Sequence, residues 1–307
     1  MAGDAVLLVA FGGPERAEDV RPFLAEVLRG RRVTPERIEE VVHHYELIGG
    51  RSPLNELTFR QAAALGEELR ARGDGRKVYV GMRNWKPWIA DTLAAMADAG
   101  VRDAVTVLLS PHTTEASRER YLESLEAGRA RLGDRAPALR FVGAWYVHPG
   151  FVGAAAARTA DALATLPAER RTDATLVFTA HSVPTPMAAA SPYVAEITAS
   201  SRAVAERLGH RRWQVAWQSR SGRPEDPWLE PDVNDALRAL AADGARDAVV
   251  VPIGFVCDHV EVLYDLDIEA RATAESVGMR LIRAETANDH PTFARMLADV
   301  VRAAVGA

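Results

Sequence analysis

Three acidic residues near the C-terminal end of the chain follow one another at intervals of four: Glu261, Asp265 and Glu269. On an α-helix such residues share one face, drifting by about 40° per step, so the three carboxylates would span roughly 12 Å. Like charges at this spacing repel one another unless a cation binds them, and carboxylate oxygens suit a hard divalent ion. His259 lies two residues before the first of them. The acidic ladder, as we call Glu261, Asp265 and Glu269, therefore indicates a path for a divalent metal.

Two ordinary structural roles also fit this segment. Asp258 and Glu261 have the spacing of a capping box, with Asp258 as the N-cap and Glu261 at N3 of a helix. Asp265, Asp267 and Glu269 would equally suit a solvent-exposed helix face. The residues of this segment alone leave the metal path and the structural roles open.

A second candidate is His181, which ends the apolar segment 176–181. An imidazole at a strand end can transfer protons near neutral pH or bind a metal ion. A buried histidine that is satisfied by a loop carbonyl is the alternative. We expect His181 and Glu261 to lie at neighbouring strand ends, because another apolar segment precedes Glu261.

These residues are positioned by a regular alternation of short apolar segments with helical patterns. Near-continuous apolarity over strand-length segments, with helices between, predicts parallel strands buried on both faces. Four such segments fall in each half: 5–11, 78–82, 104–109 and 139–146, then 174–180, 214–218, 248–256 and 279–283. The predicted fold class is α/β, with two similar Rossmann-like doubly wound domains, each built on a four-stranded parallel sheet.

The two halves also resemble each other in detail. Residues 96–107 align with residues 240–251, and in both a helix ends at a glycine before Arg-Asp leads into a strand. Residues 8–14 match residues 177–184 more loosely. We therefore expect an N-terminal domain over 1–168 and a C-terminal domain over 169–307. The amphipathic final helix, 291–305, could cap either domain, including the first.

Ligands of such sheets bind beyond the carboxyl ends of the strands, and a cleft between two domains is a favoured site. We expect the active site in such a cleft. Aromatic side chains near strand ends would suit a large flat ligand there, although core packing is the commoner role of a tryptophan. The six tryptophans are Trp85, Trp88, Trp145, Trp213, Trp217 and Trp228. Neither a Walker A loop nor GxGxxG follows any strand, so the usual modes of nucleotide binding are unsupported.

Arginine side chains offer a site for anionic groups. Arg29, Arg31 and Arg32 form one cluster, and Arg51 follows a Gly-Gly pair. A guanidinium group can bind a carboxylate through two hydrogen bonds. A solvated loop fits both segments equally well.

Composition excludes several classes of protein. The net charge of −5 gives no sign of a nucleic-acid partner. The single cysteine, Cys257, excludes an internal disulfide, a CxxC zinc site and an iron–sulfur cluster held by the chain's own cysteines. Residues 1–13 lack a secretory signal, and no apolar run approaches the roughly 18 residues of a membrane span. We expect a cytoplasmic protein with at most peripheral membrane contact.

Four segments together resemble the ferrochelatase family, whose members insert Fe²⁺ into a porphyrin late in haem synthesis. They are residues 12–14 (GGP), 178–182 (FTAHS), 217–219 (WQS) with 226–232 (DPWLEPD), and 252–269 (PIGFVCDHVEVLYDLDIE). Their order and spacing match over essentially the whole chain. The last segment is the most specific of the four.

The resemblance implies roles for individual residues. His181 and Glu261 match the active-site histidine and the carboxylate opposite it, both catalytic and both able to bind the metal. Asp265 and Glu269 match the acidic residues that lead from there towards the surface. In this chemistry a neutral imidazole accepts pyrrole N–H protons while a carboxylate holds the incoming Fe²⁺.

The resemblance also implies a set of porphyrin-binding residues. Arg83 and Asn84 match a pair that lies on the other face of the macrocycle. Phe11 falls where some bacterial members place a tyrosine near the metal, so this position supplies no hydroxyl ligand. Arg29 and Trp217 join the set on account of their charge and flat ring, respectively.

Ser52 and Tyr121 match groups that contact propionates in the bacterial branch that uses coproporphyrin. Coproporphyrin III is therefore the expected substrate, a choice that the charged segment 28–40 supports, because an apolar lip would suit membrane docking and protoporphyrin IX. A protoporphyrin IX ferrochelatase and a non-catalytic tetrapyrrole or metal carrier are the alternatives. Fe²⁺ is then a substrate, no permanent cofactor or iron–sulfur cluster is expected, and the lyase is expected to be a monomer.

Overall fold

The computed structural model describes residues 4–30, 33–222 and 225–306, and these form two compact units. The first unit takes its described residues from Met1–Ser110, Ala116–Trp145 and Asp289–Ala307. The second takes them from Pro111–Glu115 and Tyr146–Asn288.

Each unit contains a four-stranded, all-parallel sheet. The strands of the first unit are β1 Ala5–Ala10, β2 Lys77–Met82, β3 Asp103–Leu108 and β4 Ala138–Phe141. Those of the second unit are β5 Thr175–His181, β6 Trp213–Gln218, β7 Asp247–Val251 and β8 Arg280–Arg283. The spatial orders are β2-β1-β3-β4 and β6-β5-β7-β8, so corresponding strands occupy corresponding places. The predicted fold class is confirmed.

Helices cover the sheets, which explains why every residue of the inner strand β1 is buried. In chain order they are α1 Val20–Val27, α2 Pro35–Leu47, α3 Leu54–Ala71, α4 Ile89–Asp98, α5 Arg120–Ala130, α6 Pro149–Ala164, α7 Ala168–Arg171, α8 Thr185–Ala189, α9 Tyr193–Leu208, α10 Val233–Ala242, α11 Val260–Tyr264, α12 Arg271–Ser276 and α13 Pro291–Gly306. Segments Ala17–Asp19 and Gly133–Arg135 are 3₁₀-helical, and Glu115–Glu119 and Asp265–Ala270 are π-helical. No helix of the described ranges combines the length and apolarity needed to cross a membrane.

The repeat read from the sequence is present in three dimensions. Gly100 follows α4 and Gly244 follows α10, with φ values of 80° and 85°. In both, the next residue donates its N–H to a carbonyl one turn back in the helix, 3.0 Å for Val101 and 2.9 Å for Ala245. Glycine takes this left-handed conformation without steric cost, so the same turn leads into β3 and β7.

Two strands are shorter than predicted. β4 ends at Phe141, shortly before Gly143, and β7 ends at Val251. Pro252 has no N–H for the ladder, and the chain then turns so that the Gly254 N–H donates to the Thr179 carbonyl at 3.0 Å. Apolar residues continue beyond both strands, which explains why the sequence pattern extends too far.

The chain passes from the first unit to the second after Trp145 and returns at Asp289, whereas the sequence suggested one boundary at 168. Helix α6 therefore belongs to the second unit, where it packs on α9. Helix α13 belongs to the first unit and buries Phe293, Met296 and Leu297 as it packs along α3 and β3.

Candidate active site

The C-terminal ends of three neighbouring strands in the second unit carry the candidate catalytic residues. β6, β5 and β7 are adjacent and parallel, so their carboxyl ends share one edge of the sheet. His181 is the last residue of β5, Ser219 follows β6, and Glu261 lies in α11 after β7. The expected proximity of His181 and Glu261 is observed.

The imidazole of His181 is held by both the backbone and a carboxylate. Its Nδ1 lies against the Ser182 carbonyl, and its Nε2 lies 3.4 Å from Glu261 Oε1. Because a carbonyl can only accept, Nδ1 must carry a hydrogen. Nε2 is therefore the nitrogen that gains or loses a proton. The Tyr193 hydroxyl donates to the His181 carbonyl at 3.0 Å and so fixes the backbone beneath the ring.

Glu261 lies between two imidazoles, one on each of its oxygens. Oε1 faces His181, and Oε2 lies 3.3 Å from His259 Nε2. His259 Nδ1 donates to the Cys257 carbonyl at 3.1 Å, and its ring packs on Phe255 with centroids 4.6 Å apart. The contact of His259 with Glu261 was not predicted from the sequence. The spacing of two between these residues was the available signal.

This geometry shifts the acid–base properties of the pair. Burial lowers the pKa of His181, but the charge of Glu261 and its hydrogen bond outweigh burial and raise that pKa to about 9. Burial likewise opposes ionisation of Glu261, but His181 and His259 together bring its pKa well below the usual range. In the metal-free protein at neutral pH, the two groups are therefore an imidazolium and a carboxylate.

Asp265 is the second carboxylate of the acidic ladder and is buried. Ser219 hydrogen-bonds to its Oδ2, and Gln218 Nε2 lies 3.4 Å from the same oxygen. Burial is the main cause that raises the pKa of Asp265 to about 7, and the charges of Glu261 and Glu269 act in the same direction. Asp265 thus changes charge near neutral pH.

Glu269, the last residue of the acidic ladder, is exposed. The ladder therefore leads from the half-buried Glu261, through a buried carboxylate, to solvent. Within the ranges that the structure describes, no three His, Cys, Asp or Glu side chains are grouped so that they could hold a metal ion.

The helix that carries the acidic ladder is not the regular α-helix expected from the sequence. α11 passes into a π-helical turn, Asp265–Ala270, before α12. A π-turn closes its hydrogen bond at i+5 and so turns less per residue than an α-turn, which offsets the drift of residues four apart. Val262, Leu266, Ala270 and Ala274 are consequently all fully buried, and the ladder beside them stays in line.

The capping box that the sequence allowed does not form. His259 is the N-cap of α11 and makes no side-chain cap. The carboxylate of Asp258 instead accepts the Thr286 N–H at 3.2 Å and pairs with Arg283 at 3.3 Å. The carboxylate of Glu261 is thereby left to the two histidines.

Three candidate porphyrin-binding residues lie together in the first unit. Phe11 follows β1, is 38% exposed, and packs its ring edge-on to Phe23. The Asn84 N–H and side-chain amide both donate to the Phe11 carbonyl, at 2.9 and 3.3 Å. Arg83 follows β2, and its N–H donates to the Ala10 carbonyl at 3.0 Å. An exposed aromatic ring and a half-buried arginine thus follow two adjacent strands at the carboxyl ends of the first sheet.

The remaining candidates differ in exposure. Tyr121 is buried, which raises the pKa of its hydroxyl, and the charge of Arg83 acts in the opposite direction. Ser52 is buried, and its Oγ accepts the Leu54 N–H at 3.3 Å. Arg29 is exposed and pairs with Glu26 at 2.5 Å. Two further arginines of the same cluster, at positions 31 and 32, lie outside the described residues.

Trp217 is buried in β6 and packs on Tyr193, with ring centroids 5.7 Å apart. His112 is a second imidazole that follows a strand in the sequence, but it is buried in the second unit, 2.9 Å from Ser200 Oγ. Burial lowers the pKa of His112 to about 3, so it stays neutral. His112 therefore has a structural role here.

Comparison with known proteins identifies the family. Residues 3–305 match the family model described as ferrochelatase. The chain is 44% identical over 304 residues to the coproporphyrin III ferrochelatase of Mycolicibacterium smegmatis, covering 98% of this chain and 89% of that protein. It is 47% identical over 303 residues to the coproporphyrin III ferrochelatase of Mycolicibacterium paratuberculosis, covering 97% and 87%.

Solved structures support the fold at lower sequence similarity. The sirohydrochlorin chelatase SirB of Bacillus subtilis subspecies spizizenii, in complex with cobalt, superposes with a TM-score of 0.59 at 12% identity, covering 98% of this chain and 95% of that one. SirB from Bacillus subtilis with Fe³⁺ gives a TM-score of 0.61 at 13% identity, with the same coverage. With the whole-chain family match and relatives at this level of identity, the chain belongs to the ferrochelatase family.

Proposed function

We propose that this protein is a ferrochelatase of the lyase class that inserts Fe²⁺ into coproporphyrin III. The observation that carries the proposal is the His181–Glu261 pair, because it places a proton-accepting nitrogen 3.4 Å from a metal-binding oxygen. The mycobacterial relatives named coproporphyrin III ferrochelatase support the choice of substrate.

The pair explains how a protonated histidine becomes a base when it is needed. Glu261 raises the pKa of His181 through its negative charge. A divalent cation bound to Glu261 cancels that charge, so the pKa of His181 falls and Nε2 releases its proton to solvent. The freed lone pair can then accept a pyrrole N–H proton and pass it to solvent, and a second transfer of the same kind removes the other pyrrole proton as Fe²⁺ enters the macrocycle.

The acidic ladder supplies the ferrous ion. Exposed Glu269 would bind the incoming ion first, and its carboxylate oxygens would replace some of the water molecules bound to the ion. Asp265 would receive the ion next. Because the pKa of Asp265 is about 7, a cation readily displaces its proton. Glu261 then holds Fe²⁺ beside the reacting nitrogens.

The porphyrin-binding set accounts for a substrate with carboxylate substituents. Phe11 offers an exposed ring to a flat macrocycle, and Arg83 and Arg29 offer guanidinium groups to propionates. Ser52 and Tyr121 add hydroxyls. Coproporphyrin III carries more propionates than protoporphyrin IX, so it gains more from these groups. Trp217 would act indirectly, because it packs on Tyr193, whose hydroxyl donates to the His181 carbonyl.

The proposal includes no resident cofactor or iron–sulfur cluster, since Fe²⁺ is consumed as a substrate. We further propose a monomer that acts in the cytoplasm, with at most peripheral membrane contact and no nucleic-acid partner. The net charge of −5 is in keeping with the proposed absence of a nucleic-acid partner.

An anaerobic insertion assay that compares coproporphyrin III with protoporphyrin IX tests the function. We expect turnover with Fe²⁺ and a higher kcat/KM for coproporphyrin III. His181→Ala should keep its fold and its porphyrin binding but lose insertion. Porphyrin binding without turnover by the wild-type protein would indicate a carrier, and near-normal turnover by folded His181→Ala would remove the assigned base.

A further inference from the structure

Arg283 is a largely buried charge close to the acidic ladder that has no part in the function proposed above. It is the last residue of β8, and its side chain is only 11% exposed. Nε donates to Asp267 Oδ1 at 2.8 Å, and Nη1 lies 3.3 Å from both oxygens of Asp258. One guanidinium thus bridges two carboxylates.

These two carboxylates lie at two points of the segment that carries the ladder. Asp258 comes immediately before the N-cap of α11 and is further tied to the Thr286 N–H. Asp267 lies within the π-turn Asp265–Ala270. Arg283, which is fixed on a strand, therefore links the start of the segment to its π-turn.

The π-turn needs support from outside the helix. A π-turn is rare and usually confined to a single turn within an α-helix, so its persistence requires side-chain contacts. The buried stripe of Val262, Leu266 and Ala270 anchors the face towards the core. On the flank, Arg283 donates to the side chain of Asp267, which lies between Asp265 and Glu269 in the π-turn.

We propose that Arg283 is a positioning residue, which holds the π-turn through Asp267 so that Glu261, Asp265 and Glu269 stay aligned for a divalent metal. The inference rests on the proposed function, since it takes these carboxylates as metal ligands. Groups that orient ligands from outside the coordination sphere typically change metal affinity about 10–100-fold when they are removed.

Asp267 offers a sharper test than Arg283, because loss of the arginine would leave two carboxylates uncompensated, one of them the buried Asp258. Asp267→Ala removes the bond from Arg283. Asp267→Asn removes the same charge but keeps an oxygen that can accept from Nε. Glu275→Ala is the matched control, since it removes an exposed carboxylate from α12, whereas Arg271 donates to the Asp267 carbonyl at 3.0 Å and so contacts the π-turn itself.

The readout is binding of Co²⁺ to the porphyrin-free protein by isothermal titration calorimetry, with the Tm of each variant measured alongside. We expect Asp267→Ala to bind Co²⁺ about tenfold or more weakly. Asp267→Asn should recover most of the affinity, and Glu275→Ala should stay within about twofold of wild type. Should Asp267→Ala fail to fold, Arg283→Lys, whose single ammonium cannot bridge both carboxylates, should show the same loss.

Several results would overturn the inference. A lower Tm for Asp267→Ala with unchanged Co²⁺ affinity would make the contact merely structural. Equal losses of Co²⁺ affinity in the Ala and Asn variants would mean that the charge of Asp267, and not its hydrogen bond with Arg283, causes the loss. Absence of Co²⁺ binding by the wild type would mean that the acidic ladder is not a metal site. Fe²⁺ insertion measured on the same proteins separates the two proposals: a wild type that binds Co²⁺ but metallates neither porphyrin refutes the function and leaves Arg283 to be decided by the binding data.

Discussion

Removal of the Glu261 charge should make His181 a much weaker base. Burial lowers the pKa of His181, and the charge and hydrogen bond of Glu261 raise it to about 9 from an ordinary 6.5. In Glu261→Gln the amide has nearly the same shape but no charge, so burial is left largely unopposed. We therefore expect the pKa of His181 to fall towards or below 6.5.

The size of the effect follows from the same values. A pKa of about 9 instead of 6.5 corresponds to about 3 kcal/mol of net interaction, from which the cost of burial has already been subtracted. Because 37% of the Glu261 side chain is exposed, solvent screens part of this interaction. We accordingly expect Glu261→Gln to remove at least about 1.4 kcal/mol of this interaction, which would lower the pKa of His181 by one pH unit or more.

Nuclear magnetic resonance titration of histidine-labelled, metal-free protein measures this directly. The chain has eight histidines, and His181→Ala identifies the resonance of interest. Glu275→Gln removes an exposed carboxylate in α12, within the same helical segment, and should leave the pKa of His181 unchanged. A His181 that titrates near 6.5 in the wild type, or still near 9 in Glu261→Gln, would refute the reasoning.

The raised pKa of His181 also determines the direction in which the free energy of unfolding changes with pH. Protonated His181 stabilises the folded state fully below its unfolded pKa of about 6.5, and this contribution is lost as the pH rises through about 9. The free energy of unfolding should therefore fall between pH 6.5 and 9 by more in the wild type than in Glu261→Gln. Urea denaturation at several pH values checks this, and parallel curves would contradict it.

Three further outcomes are expected. Since the pKa of Asp265 is about 7, the apparent KM for Fe²⁺ should rise as the pH falls through that value. Asp265→Asn should abolish this pH dependence in steady-state assays. A pH dependence that persists in this variant would mean that another group titrates. Glu269→Gln should raise the KM for Fe²⁺ and spare kcat, whereas a fall in kcat would put Glu269 at the reacting centre. Gly254→Ala should lose about 1–3 kcal/mol in urea denaturation, because its Cβ would lie 2.5 Å from Ala180 Cβ. Gly75→Ala, which has open space, should change by less than about 0.5 kcal/mol, and equal losses would contradict the steric cause.

The strands could be predicted because parallel strands buried on both faces are almost uninterruptedly apolar. Their ends were less certain, since apolar residues continue past Pro252 into a turn. The π-turn was missed, although it left a signal. The buried residues Val262, Leu266, Ala270 and Ala274 keep a constant spacing of four over more residues than a regular α-helix holds on one face.

Within the site, proximity could be predicted but orientation could not. His181 and Glu261 both follow adjacent parallel strands, so the topology alone brings them close. The turn of His259 towards Glu261 depends on its extended backbone, with φ of −160°. The bond from Tyr193 to the His181 carbonyl depends on how α9 packs after an intervening loop. Such local geometry is set by backbone angles and packing, which residue type and spacing do not fix by themselves.

The two units use one topology for two kinds of chemistry. Phe11 follows the inner strand of the first sheet where His181 ends the inner strand of the second, and Arg83 follows the neighbouring strand as Ser219 does. In the proposed function, the first set binds a flat, anionic macrocycle, whereas the second handles protons and metal. A repeated fold supplies equivalent strand ends, and the residue types at those ends decide what each unit does. A π-helical turn follows β3 at Glu115–Glu119 and β7 at Asp265–Ala270, and in the proposed function it is the carboxylates of the second turn, held through Asp267 by Arg283, that receive the metal.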